Sequence, residues 1–271
     1  MEHPILILTG LLAGALGLFS FSHPWAKRGG LLLVMALGCG TGLLSGSWWG
    51  GLLGLLPLIC LPWVMITLQA RNMRLPLTRA LSGRFPPAYD AFPHLGDLTE
   101  ALEGEGFDRT DDSGWDGGQE RHFLRIFYHE QSRTQAAICL IEHGEAGLYY
   151  MTLTTRTVDG LLIITSDCPS TGHLKDAPEV IFRRTAGDGT VPGLVLNHES
   201  YLQSVEIEDA DREAMDVETL AERLSGERLK QVQHNVTSGI IEDSGSGLFR
   251  YSWRGCFYLW GQFLKDLVRA A

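Results

Sequence analysis

Charge is nearly missing from the first quarter of this 271-residue chain. Between Pro4 and Leu68 the only formal charges are Lys27 and Arg28. Short chemical motifs are missing everywhere. The five cysteines include no CxxC pair, and the scatter of Cys139, Cys168 and Cys256 does not read as a disulfide framework, which suits a reducing compartment. Nine histidines form no HExxH, HxH or His/Cys quartet, so no metal is predicted. There is no GxSxG, and no Walker A or Rossmann glycine pattern outside the apolar segment. No catalytic residue and no cofactor are predicted. Basic excess is missing too. The chain is at −10, and residues 1–84 hold six of its 22 bases but one of its 32 acids, which leaves residues 85–271 at −15. That balance argues against nucleic acid as a partner, because phosphate binding needs a basic footprint.

What fills the uncharged region is long apolar sequence. The run from Pro4 to Phe21 has the length to cross a bilayer, and Met1-Glu2-His3 lacks the basic start of a cleaved signal. The run from Gly30 to Leu68 would extend about 58 Å as one helix, far more than a ~30 Å hydrocarbon core, so it must fold back. Ser45-Gly46-Ser47-Trp48-Trp49 is the natural turn, with two tryptophans suited to an interface. The expectation is a three-helix transmembrane unit over 1–70, with helices near 4–21, 30–45 and 49–68. The second is short enough to be re-entrant instead. Lys27 and Arg28 on one side, and Arg71, Arg74, Arg79 and Arg84 after the third helix, place residues 71–271 in the cytoplasm by the positive-inside rule. A multi-pass protein of the bacterial inner membrane is thus expected, with the lipid bilayer as a partner and the N-terminus on the opposite side. Gly10/Gly14 and Gly38/Gly42/Gly46 have the spacing of close helix contacts, within the unit or between copies in a homo-oligomer. No ionisable residue lies inside the runs, so the unit reads as an anchor and not a transporter.

A basic, proline-containing linker over 71–96 leads to an α+β domain over 97–252. Asp97, with Glu100 three residues on, reads as the cap of a short helix. The acidic stretch Asp108 to Glu120 reads as a solvated loop, since it fails the EF-hand spacing. Alternation then predicts strands near 123–128, 136–142, 148–156 and 161–165, with a further strand at 180–184. Short turns, including Asp159-Gly160, make this an antiparallel sheet of four to five strands. Residues 197–234 read as helical and acid-rich, and 240–251 as a small hairpin. The helix–hairpin order at 217–252 faintly resembles a winged helix, but its helix carries about as many acids as bases. Residues 253–271 form an amphipathic aromatic helix. Trp253, Phe257 and Trp260, with Arg250 and Arg254, are membrane-interface candidates beside Trp48 and Trp49. The alternative is that the stripe packs on the domain.

Four residues are ligand-binding candidates: His129, His143, His198 and Cys168. His129-Glu130 and Glu142-His143 can face each other if their strands pair. Asn235-Val-Thr237 matches a glycosylation sequon. Thr155-Arg-Thr-Val-Asp159-Gly160, Thr165-Ser166-Asp167 and His198 before Tyr201-Leu202 resemble an arrangement in bacterial membrane-anchored proteins that carry no assigned activity, so the resemblance implies the anchor and nothing of chemistry. The expected function is a membrane-anchored, non-enzymatic binding or regulatory module. Its acidic face suits a basic protein partner. The alternatives are an enzyme acting on a membrane-proximal substrate, which needs convergence of the four candidates, and a small subunit of a membrane complex.

Overall fold

The structure is a computed structural model. It describes residues 10–14, 17, 33–40, 49, 64–65, 67–75, 77, 81–116, 120–144, 146–169, 174–185, 190–245 and 247–270. The chain divides into two compact units, 1–70 and 71–271.

In the first unit the described stretches 10–14 and 33–40 are helical. A Cβ on Gly14 would lie 3.2 Å from Leu33 Cδ1, so glycine lets these two stretches approach within the unit. Among the described residues no helix is long and apolar enough to cross a membrane. This overturns the three-helix transmembrane unit and the multi-pass inner-membrane location expected from hydropathy. A span takes about 20 consecutive helical residues. Hydropathy measures apolar length and ignores helix continuity. Twelve glycines fall between Pro4 and Leu68, each costing up to about 1 kcal/mol relative to alanine in a helix. The remainder of the expected helices at 4–21, 30–45 and 49–68, with Trp48, Gly42 and Gly46, lies outside the described residues. The orientation argument, which needed those spans, falls with them.

The second unit is built on a seven-stranded sheet in sequence order: β1 (Ser82–Gly83), β2 (Asp108–Asp116), β3 (Glu120–His129), β4 (Thr134–His143), β5 (Ala146–Arg156), β6 (Leu162–Ser166) and β7 (Val180–Arg184). Pairing is antiparallel from β1 to β6, and β7 runs parallel to β6. The expectation of four to five antiparallel strands is therefore corrected to a seven-stranded mixed sheet. The acidic stretch read as a loop is β2, an error with a clear cause. Its carboxylates meet cations across the strands: Asp112 accepts two hydrogen bonds from Arg125 at 2.9 Å, and Asp116 pairs with Arg84 at 2.8 Å.

Period-two alternation gives the sheet two buried faces. On one, Phe123, Phe127, Ile138, Leu140, Met151 and Leu153 pack against α1 (Leu95–Gly104) and α2 (Val191–Ser204). On the other, Ile126 and Tyr128 pack against Met215 and against Leu220 of α3 (Leu220–Thr237). Arg228 of α3 lies 4.1 Å over the ring of Trp115, which stacks on His122 at 4.2 Å. A parallel β6–β7 pair needs a crossover connection. That crossover is held on α3 by side-chain amides: fully buried Asn235 accepts from Lys175 N at 2.8 Å and donates to its carbonyl at 2.8 Å, and Gln231 accepts from Ala177 N at 3.0 Å. Asn235 of the sequon is thus a structural clamp. The expected helix cap moves as well: α1 begins after His94, with Asp97 inside its first turn.

Beyond α3, β8 (Ile241–Asp243) and β9 (Phe249–Tyr251) form a hairpin, and α4 (Trp253–Ala270) follows. α4 is seated through Gly255 and Cys256. A Cβ at Gly255 would collide with the carbonyl oxygen of Ile240, and Cys256 is fully buried. The basic residues of α3 serve the fold and are not offered as a recognition surface. Arg223 is bonded to Glu213, and Arg228 lies on Trp115.

Candidate functional site

Three helices of the second unit end in the same local geometry, and the exception in residue type marks the site. In α1 the Phe107 N–H reaches the Leu102 carbonyl at 3.1 Å around Gly106 (φ +88°). In α3 the Ile240 N–H reaches the Asn235 carbonyl at 2.9 Å around Gly239 (φ +69°). In α2 the Ile207 N–H reaches the Leu202 carbonyl at 3.0 Å, but the left-handed residue is Glu206 (φ +59°). All three are Schellman caps, and glycine is the residue that adopts this conformation without steric cost. Replacing Glu206 with glycine should therefore raise stability, by about 1 kcal/mol. Urea denaturation measures it, and a loss of stability would refute the steric reading.

Glu206 stands on the rim of a cleft of about 1200 Å³. The cleft lies between the β3–β4 turn (His129, Gln131, Ser132), the end of α2 (Glu199, Gln203) and the segment 206–212. Five carboxylates line it, on Glu199, Glu206, Glu208, Asp209 and Asp211, against the single guanidinium of Arg212. Arg212 is only 3% exposed. It binds Glu199 with both terminal nitrogens at 2.9 and 3.2 Å and the Ser132 carbonyl at 2.9 Å. It also lies 3.4 Å from the rim carboxylate of Asp209, so one guanidinium is shared by Glu199 and Asp209 and the five acids of the cleft remain in excess.

That rim is polar yet pinned. Arg133 donates to the Arg212 carbonyl at 2.6 Å, Val158 N–H to Asp211 at 2.9 Å and Glu213 N–H to Arg156 at 2.8 Å. A reciprocal box between Glu208 and Asp211 closes a 3-10 turn, with Glu208 N–H donating to the Asp211 carboxylate at 3.1 Å.

The four ligand-binding candidates separate. His129 lines the cleft, where its Nδ1 accepts from Ser132 N–H at 3.0 Å and lies 2.8 Å from Ser132 Oγ. The imidazole thus locks the β3–β4 turn. His198 is fully buried between Thr155 Oγ1 at 2.9 Å and Thr165 Oγ1 at 2.8 Å. Desolvation first, then Arg212 and Arg183, push its pKa down to about 3. His129 and His198 do approach each other, on a cavity of about 130 Å³ beneath the cleft that Glu199 and Thr134 also line. His143 is elsewhere. β3 and β4 pair as expected, but the register sets it opposite Glu120, at the other end of the strands from His129. Cys168 follows β6, half-buried, its N–H on Ser166 Oγ at 3.1 Å. Burial pushes the thiol of nearby Cys139 up to about 12. Among the described residues no group of three or more His, Cys, Asp or Glu could hold a metal ion.

The interface candidates also have places. Trp49, Trp253 and Phe257 are exposed, and half-buried Trp260 stacks on Phe263 at 5.6 Å. Arg250 pairs with Glu242 at 2.7 Å, and Arg254 is exposed.

Sequence reasoning pointed to the acid-rich stretch after 205 but missed Glu199, Arg212 and the β3–β4 turn as its neighbours. No family model, curated protein or solved structure matches the chain.

Proposed function

We propose that the unit 71–271 is a non-enzymatic binding module whose acid-rimmed cleft receives a basic segment of a protein partner. The observation that carries this reading is Glu206. A carboxylate is kept at a left-handed cap position where glycine serves the other two helices, and it points the charge balance of the cleft toward cations. Backbone strain retained at a polar cleft is a pointer to function. The surroundings agree: residues 85–271 are at −15, which steers a cationic partner toward the cleft and speeds encounter.

Fluorescence anisotropy of a labelled oligo-arginine peptide against the full chain tests it. Binding should weaken steeply as salt is raised. The variant Glu206→Gln/Glu208→Gln/Asp209→Asn/Asp211→Asn keeps the hydrogen-bonding oxygens of the rim and removes four charges. It should bind about tenfold or more weakly, since exposed ion pairs contribute about 0.3–1 kcal/mol each. Equal affinity for parent and variant would remove the proposal. Glu206→Gly should weaken binding while it stabilises the fold, a divergence that a purely structural residue would not produce.

A further inference from the structure

The neighbouring face of α2 carries the opposite charge logic. Asn197, Ser200, Tyr201 and Ser204 of this helix, with Arg183 of β7, line a second pocket of about 370 Å³ that contains no carboxylate. Arg183 sits beside Thr165 in the β6–β7 register, and its guanidinium lies 3.8 Å over the Tyr201 ring. Among the described residues its buried Nη1 has no hydrogen-bond partner. The buried arginines of this unit find carboxylates, Arg125 on Asp112, Arg156 on Glu227 and Arg212 on Glu199, whereas Arg228 lies on a ring as Arg183 does.

Acids outnumber bases 31 to 20 in residues 71–271, so a guanidinium in a pocket with no carboxylate among its described lining residues stands out. One face of the guanidinium is desolvated by an aromatic ring, which supports its orientation but supplies no acceptor for its N–H groups. A buried donor left unmade is costly, and a charged one more so. The planar fork matches the two oxygens of a carboxylate or phosphate. The Asn197 amide and the Ser200 hydroxyl stand one helical turn apart on the same face of α2, and both can donate to the same oxyanion.

We infer that this pocket is a binding site for the oxyanion group, carboxylate or phosphate, of a small molecule, with Arg183 as its charged anchor and Asn197 and Ser200 as hydrogen-bond donors. The site does not depend on the acidic cleft, which uses other residues of α2 and selects the opposite charge. The two proposals therefore fail separately.

The test is an NMR titration of the ¹⁵N-labelled full chain with inorganic phosphate and, separately, sodium acetate, with sodium chloride holding the ionic strength constant. The Arg183 Nε–Hε resonance is assigned by its loss in Arg183→Lys. It should shift saturably, together with the Asn197 side-chain amide, and the anion that saturates at the lower concentration identifies the group. Arg183→Gln should weaken binding about tenfold or more. Ser200→Ala, on the exposed side of the helix, keeps the fold testable should Arg183→Gln not fold, and should weaken the same anion. A resonance that moves no more with phosphate or acetate than with chloride overturns the site. So does saturable binding that is unchanged in both Arg183→Gln and Ser200→Ala.

Discussion

Asp112→Ala should destabilise the second unit by about 3–5 kcal/mol, the usual cost of leaving one member of a buried ion pair alone. Both side chains of the Arg125–Asp112 pair are only 8% exposed. Arg125 holds Asp112 through two bonds of 2.9 Å and reaches Thr99 of α1 at 3.1 Å, so the pair also ties the helix to the sheet. Without Asp112 the guanidinium remains between Phe123 and Phe127 on a face that otherwise forms the core. The double variant Asp112→Leu/Arg125→Met removes both charges and should recover most of the loss, because a buried pair replaced by apolar groups is often nearly neutral. Urea denaturation of the two variants measures the difference. A cost below about 1 kcal/mol for Asp112→Ala would place the pair among solvated surface bridges.

Acidification should destabilise the fold well before carboxylates protonate, and His198 is the reason. Its Nε2 and Nδ1 each meet a threonine hydroxyl, and the chain continues from Thr155 to Thr134 at 3.0 Å and to the Ser132 carbonyl at 3.1 Å. One arrangement of protons serves every contact with a neutral ring: Nε2–H donates to Thr155, Thr155 to Thr134, Thr134 to Ser132, and Thr165 to Nδ1. The folded pKa is depressed from 6.5 to about 3. The unfolded chain therefore binds a proton below about pH 6.5 that the native state refuses. Stability contributed by the neutral ring is whole above that pH and is lost as pH falls toward 3. The loss should reach about 2 kcal/mol by pH 5 and about 4 kcal/mol near pH 3. Burial raises the carboxyl pKa of Asp167 and Asp176, which opposes this loss by stabilising the fold on acidification. Between pH 6.5 and 5 His198 acts together with His122, whose pKa burial also lowers. His198→Gln should flatten the pH dependence of unfolding free energy there, whatever it does to absolute stability. A slope unchanged in that variant would show that other groups carry it.

How much was legible in the sequence follows from the range of the interactions. Period-two alternation in 123–128 and 136–142 is local, set by one buried face meeting its neighbour, and these runs coincide with β3 and β4. The hairpin at 240–251 is signalled by its Ser-Gly-rich turn and coincides with β8 and β9. Asp108–Asp116 failed for the converse reason. Its acids looked solvated because two of the arginines that neutralise them, Arg84 after β1 and Arg125 of β3, are distant along the chain. The apolar N-terminal run shows the limit of composition: it measures transfer energy along the chain, while helix continuity depends on where glycines interrupt it.

The candidate site divides in the same way. The sequence by itself determined that residues 85–271 are strongly acidic, that the acids gather after residue 205, and that no short catalytic or metal motif is present. Charge and motif are properties of the chain, whatever its fold. Only the tertiary structure decided that Glu206 occupies a left-handed cap, that Arg212 pairs with Glu199, that His198 is sealed neutral in the core while His143 lies at the far end of a strand pair, and that Arg183 lies over the Tyr201 ring. Each depends on which residues, distant along the chain, the sheet register and the docking of α2 bring within hydrogen-bond reach, and on how much water that docking removes.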